Sequence, residues 1–305
     1  MIKSRFLLFL FLIMIQGNGI AQVSLPAINL GYTSFADSLG FPGLFLQEYM
    51  DYNYSGSIKN GNGDSLAGNS SMRSWVLLNQ LIYISKSKIL GAHYGFDITV
   101  PVVDVSMKTR GKKYYDTGLG DITIGLPLLQ WPKRKLFGMD FYQKLDFLIK
   151  IPSGHYDNNE LVNTSKNLYS INPFYSFTLF MTPKIETSMR FSYLWNSKNH
   201  DPYKSLDVDD LQPGQAFHMN YAVSYGINKR YRIGVAGYFL QQLDHHEIDG
   251  HHIPNSKERV FAIGPGVMLL GKNMQNIVYL NIYFESFTLN RPEGSRVMLR
   301  FIKKI

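Results

Sequence analysis

From Gly91 to Val103 the chain reads "GAHYGFDITVPVV". Ala92, Tyr94, Phe96, Ile98, Val100 and Val102 are apolar, and the residues between them are mostly small, polar or charged. A period of two sends alternate side chains to opposite faces of a strand. The rhythm returns over 139–151, 169–181, 185–195 and 217–225, and no stretch beyond residue 22 shows a helical repeat. Twelve strands are predicted, near 43–54, 73–84, 89–102, 119–130, 138–151, 168–181, 185–196, 214–227, 230–243, 259–270, 276–287 and 295–302.

The connectors add sidedness. Long ones such as "GSIKNGNGDSLAGNSSM", "DVSMKTRGKKYYDTG" and "PSGHYDNNELVNTSKN" alternate with short ones such as "SKSK", "TPK" and "NK". Alternation alone also suits a soluble β-sandwich or a lipocalin, whose apolar faces turn inward. Three features favour lipid on the apolar face: sided connectors, aromatic residues loading the strand ends, and several charges per polar face. About 9–11 tilted residues cross a bilayer, and an open sheet edge cannot stand in hydrocarbon. The expected fold class is therefore all-β, a closed antiparallel up-and-down transmembrane β-barrel of about 12 strands.

Composition narrows the classes. Cysteine is absent from the 305 residues, which excludes disulfides, thiolate catalysis and Cys-ligated metals. The net charge is +8, but Lys and Arg lie mostly in short turns such as "PKRK", which reads as solvated connectors rather than a nucleic-acid surface. Lys3 and Arg5, the apolar run Phe6–Ile15, and small residues at Gly19 and Ala21 describe a secretory signal peptide cut before Gln22. An uncleaved anchor is the alternative. The expected division is 1–21 signal peptide, 22–42 N-terminal periplasmic segment or plug, and 43–305 barrel. The expected location is the outer membrane of a Gram-negative bacterium, reached through the general secretory route. The barrel-assembly machinery and the lipid bilayer are the partners this implies.

Four stretches carry a resemblance: "FPGLFLQEYMDYNYSG" (41–56), "YDTGLGDITIGLPLL" (115–129), "FAIGPGVML" (261–269) and "EGSRVMLRF" (293–301). In this order they resemble the transporter-like family named for the meta-cleavage (MetA) pathway of phenol degradation. Pro42, Gly43, Gly118, Gly120 and Asp121 are the positions that match its motifs. The resemblance implies an outer-membrane barrel that carries aromatic or other hydrophobic compounds, and it implies no catalytic residue. One departure is "IKKI" after Phe301, where such barrels often stop on an aromatic; Ile305 keeps Phe301's parity.

Candidate chemistry sits on the polar faces. The predicted lumen line is His93, Asp97, Asp140, Lys144, Asp146, Lys150, Glu186, Arg190 and His218. These charges either tune a conduction path or pair to fill a packed interior. Asp121 is either a lumen charge or the cap of a glycine-permitted bend. "DHHEIDGHH" (244–252) gathers His245, His246, His251 and His252, a weak candidate metal loop. Its spacing misses H-E-x-x-H, since Gly250 stands where the second His should be. A solvated extracellular loop is expected there. No Gly-x-Ser-x-Gly, Walker loop or dinucleotide fingerprint occurs. The expected function is cofactor-free, non-enzymatic passive uptake of small hydrophobic or aromatic compounds. The alternatives are a non-conducting structural or adhesive barrel, an outer-membrane enzyme, and a soluble periplasmic sandwich.

Overall fold

The computed structural model describes residues 23–66, 70–271 and 275–305. The expected signal peptide, 1–21, lies outside them.

Twelve antiparallel strands build the wall: β1 (Gly43–Ile58), β2 (Ser71–Ile89), β3 (Ala92–Thr109), β4 in two pieces (Lys112–Leu119 and Thr123–Gln130), β5 (Met139–Lys150), β6 (Ser170–Phe180), β7 (Ile185–Asn196), β8 (Ala216–Gly226), β9 (Tyr231–Gln242), β10 (Arg259–Leu270), β11 (Asn276–Leu289) and β12 (Pro292–Lys304). Each pairs with the next, and β12 returns to β1 through pairs such as Tyr49 with Arg300. The sheet therefore has no free edge, as a hydrocarbon environment requires. All twelve expected strands are present.

Two expected connectors are strand instead. Asp104–Gly118 forms the tip of the β3–β4 hairpin, paired from Val102–Leu119 to Thr109–Lys112 around Arg110 and Gly111. Those two residues have φ of 49° and 77°, the left-handed pair a tight hairpin needs. Period-two alternation resumes through Val103, Val105 and Met107 in the opposite phase, now with the apolar residues facing inward, and that switch of face obscured the signal. The last long-side connector likewise shrinks to a tight turn between β11 and β12. Short strands Leu211–Gln212, Glu247–Ile248 and His251–His252 join the β7–β8 and β9–β10 loops through a small separate sheet.

The outer face is apolar. On β3, Tyr94, Phe96, Ile98 and Val102 stand outward and exposed, while Asp97 is buried within. Trp75 stacks near Tyr52 at one end of this band, and Tyr83 near Phe96 at the other. Trp75 and Tyr83 are eight residues apart on β2. At ~3.3 Å per residue and a tilt of ~40°, that is about 20 Å of height, close to the ~25 Å band of such barrels. One polar pair interrupts it. Glu48 and Asn79 are cross-strand neighbours on the outward face, midway between the aromatic ends.

Residues 23–42 lie inside the barrel. Leu25, Leu30, Phe35 and Ala36 pack in one cluster with Leu194, Ala216, Ala222, Ala236, Tyr238, Ala262 and Tyr283 of β7–β11. The wall makes room with small inward residues. A Cβ on Gly266 would stand 2.9 Å from the Phe35 ring, and one on Gly31 would stand 2.8 Å from Tyr283. The interior is thus divided: this segment fills the β6–β12 side and leaves space along β1–β5.

Candidate functional site

A cavity of about 870 Å³ occupies that remaining space. Its wall has an apolar strip, with Val76, Leu78, Ile82, Val103, Val105 and Met107 all pointing inward from β2 and β3. Beyond it lie charges from β5, β7 and β12, including Lys144, Arg190, Arg296 and Arg300. The space is therefore amphipathic, with one oily strip and a charged lining in which acids such as Asp51, Asp97 and Asp146 accompany the cations.

The inner segment meets these charges directly. Asp37 accepts two hydrogen bonds from the Arg190 guanidinium, both 2.9 Å, and that guanidinium lies 3.7 Å above the Phe174 ring. Asp51 accepts two from Arg296, at 2.8 and 2.7 Å. Arg300 donates to Gln47 and lies between the rings of Tyr49 and Tyr279, which face it at 5.4 and 5.0 Å. Bidentate pairs fix geometry as well as charge. Ser38 completes the anchoring, donating to Ser176 Oγ at 2.8 Å and, through its N–H, to Thr178.

The nine residues of the predicted lumen line separate into three groups. Asp97, Lys144, Asp146, Lys150 and Arg190 line the cavity. Gln80 donates to Asp97 at 2.7 Å, and Lys150 reaches the Ala27 carbonyl of the inner segment. Glu186 and His218 face inward but are buried under that segment. Glu186 accepts from Ser188 and Ser224, not from Arg190, and His218 meets Asn172 at 3.2 Å. His93 and Asp140 sit at the short-turn rim: His93 contacts the Lys86 carbonyl, and Asp140 pairs with Lys135 at 2.6 Å.

The glycine motif serves the bend between the two pieces of β4. The N–H of Gly120 donates to the Pro101 carbonyl, and a Cβ on Gly154 would stand 2.7 Å from the Gly120 backbone. That close approach requires glycine. Asp121 accepts from the Gly154 N–H at 3.1 Å, tying the loop before β6 to the wall, and its side chain also lines the cavity. Pro42 and Gly43 mark the entry into β1.

The histidine loop corrects an expectation. It is not wholly solvated: His246 is 2% exposed. The Gly214 N–H donates to its Nδ1, which leaves the ring proton on Nε2, 3.6 Å from Glu258. Glu258 also accepts from the Leu25 N–H at 2.6 Å and pairs with Arg291. Burial alone would push the Glu258 carboxyl up. Arg291, His246 and the Leu25 N–H outweigh burial and hold it at about 2. Nearby Lys166, donating to Ser24 Oγ, is pushed down to about 8 by burial, partly offset by Glu258 and Asp121. His251 and His252 remain exposed, and among the described residues no three such ligands converge for a metal. The sequence held no local signal for this latch, whose members are scattered over residues 25–291.

The family model for the MetA-pathway of phenol degradation matches residues 55–301. The chain belongs to this family. The COG4313 outer membrane channel from Pseudomonas putida F1 has the same architecture, with a TM-score of 0.78 and 13% identity over 92% of this chain and 100% of that one. The transport unit of the autotransporter AIDA-I from Escherichia coli follows at 0.55 and 10%, over 96% and 97%. At these identities the likeness is one of fold: a closed antiparallel β-barrel of the kind seen in those outer-membrane proteins. No curated relative matches the chain.

Proposed function

We propose that this protein is a passive channel for small hydrophobic or aromatic compounds in the outer membrane of a Gram-negative bacterium. In this reading residues 1–21 are a secretory signal peptide, and the barrel-assembly machinery inserts the mature chain. The observation that carries the proposal is the apolar strip of β2 and β3 along a cavity of about 870 Å³. That volume falls within the roughly 300–1,000 Å³ of small-molecule sites. A flat apolar solute would lie on the strip, with a hydroxyl turned toward the Lys144 and Arg190 side. Passage needs no cofactor, energy input or chemical step; width and lining select the solute.

A second reading is a non-conducting structural barrel. It is favoured by the inner segment, which fills the β6–β12 side and is tied at Asp37, Ser38 and Leu25. One experiment separates the two. Phenol efflux from liposomes containing the purified protein is expected to exceed efflux from empty liposomes and to saturate at no added nucleotide. Equal rates would remove the channel reading and leave the structural one.

A further inference from the structure

The outer face of the β2–β4 wall changes character just beyond the aromatic band. Below lie Trp75, Val102 and Leu119, all exposed and apolar. Above them the same face carries Arg73, Tyr115, Lys108 and Lys113, also exposed. Lys108 and Lys113 are direct cross-strand partners. Like charges set opposite each other destabilise a hairpin unless an anion lies between them. None of these three cations has an ion-pair partner among the described residues. The nearest outward acid, Asp104, accepts from Thr117 at 2.8 Å.

Height decides what kind of anion fits. Arg73 is two residues beyond Trp75, and Lys108 six beyond Val102. Trp75 pairs with Asp104, so Lys108 is four residues above the Trp75 level. At ~3.3 Å per residue and ~40° of tilt, Arg73 and Lys108 stand about 5 Å and about 10 Å above it. A phospholipid headgroup layer is only ~5–8 Å deep, so it would meet Arg73 and miss the lysine pair. An outer-leaflet glycolipid stacks phosphates and sugar carboxylates over the greater height. Long loops mark this rim as the extracellular one.

We propose that the outward face of the β2–β4 wall binds the anionic headgroup and inner sugars of a phosphorylated glycolipid, with Arg73 at its lower phosphate, Lys108 and Lys113 at its outer acids, and Trp75 and Tyr115 against its chains and sugars. The glycolipid would relieve the repulsion within the hairpin and hold the protruding tip upright.

Binding is read by native mass spectrometry of the full-length protein in detergent, titrated with lipopolysaccharide truncated to lipid A plus its two acidic sugars. Phosphatidylglycerol, lipid A and inorganic phosphate serve as comparison probes. Each cation near an anionic surface contributes roughly fivefold. Lys108→Gln/Lys113→Gln is therefore expected to weaken the truncated lipopolysaccharide about 25-fold and leave phosphatidylglycerol unchanged. Arg73→Gln should weaken lipid A about fivefold, and Lys86→Gln/Lys88→Gln on the opposite rim should change nothing. Heat-dependent gel mobility confirms that each variant is folded, and Arg73→Gln stands alone if the lysine pair is needed for folding. Equal affinity of wild type and variants, equal affinity for phosphatidylglycerol, or displacement by inorganic phosphate would each overturn the proposal.

Discussion

Glu258 holds the outer end of the inner segment, and Glu258→Gln is the most informative change at that latch. The substitution keeps the shape but removes the charge that Arg291, His246 and the Leu25 N–H all face. An ordinary glutamate titrates near 4.5, and this one at about 2. At about 1.4 kcal/mol per pH unit, the difference corresponds to about 3 kcal/mol of stabilisation at neutral pH. The folded value lies below the unfolded one, so this contribution is complete above about pH 4.5 and is lost as pH falls toward 2. Hydrogen–deuterium exchange over residues 23–31 reads it locally, because opening this segment need not unfold the barrel. At pH 7 the variant should exchange roughly 100-fold faster than wild type there, with β7–β11 unchanged. The gap should close on acidification to pH 2. Equal protection at pH 7 would refute the latch. Loss of wild-type protection between pH 7 and 6, far above the range in which Glu258 titrates, would refute it as well.

Other expectations follow from the same contacts. Arg190→Met leaves Asp37 buried without its partner and should cost about 3–5 kcal/mol, while Arg190→Met/Asp37→Asn should recover most of it; thermal loss of the folded gel band measures both. Phe35→Ala empties the space beside Gly234 and Gly266 and should weaken seating of the segment by about 3–5 kcal/mol, read as faster proteolysis within residues 23–42. Glu48→Leu replaces the outward polar group at mid-height and should stabilise the barrel by about 1 kcal/mol in urea titrations of vesicle-inserted protein.

The wall was legible in the sequence because a lipid-facing barrel repeats one instruction. Every second residue of β3, β5, β7 and β8 must be apolar, and a long run of such pairs leaves few alternative folds. The β3–β4 tip was less legible, since above the bilayer its outward positions are free to be Ser106, Lys108 and Lys113. The division of the interior was not legible. Ala216, Ala222, Ala236, Ala262, Gly234 and Gly266 read singly as tolerant strand positions, yet together they form the recess for Phe35 and its neighbours. Small residues facing inward on consecutive strands are the signal to look for. Charge was hardest to read. Asp37 with Arg190, Asp51 with Arg296 and Glu258 with Arg291 join positions far apart in the chain, and such side-chain pairing has no sequence period.

If the channel is gated, the inner segment that fills the β6–β12 side is the element that would have to yield, and the absence of cysteine allows a clean lock. Ser38 and Ser176 hydroxyls are 2.8 Å apart, so Ser38→Cys/Ser176→Cys can tether the segment to β6. Single-channel current across a planar bilayer should stay near zero in the oxidised variant and return to the wild-type level on reduction. Full current through the oxidised, tethered protein would show that solutes pass without movement of residues 23–42, contradicting a gating role for the segment. No current in either state, or in wild type, would contradict the channel itself.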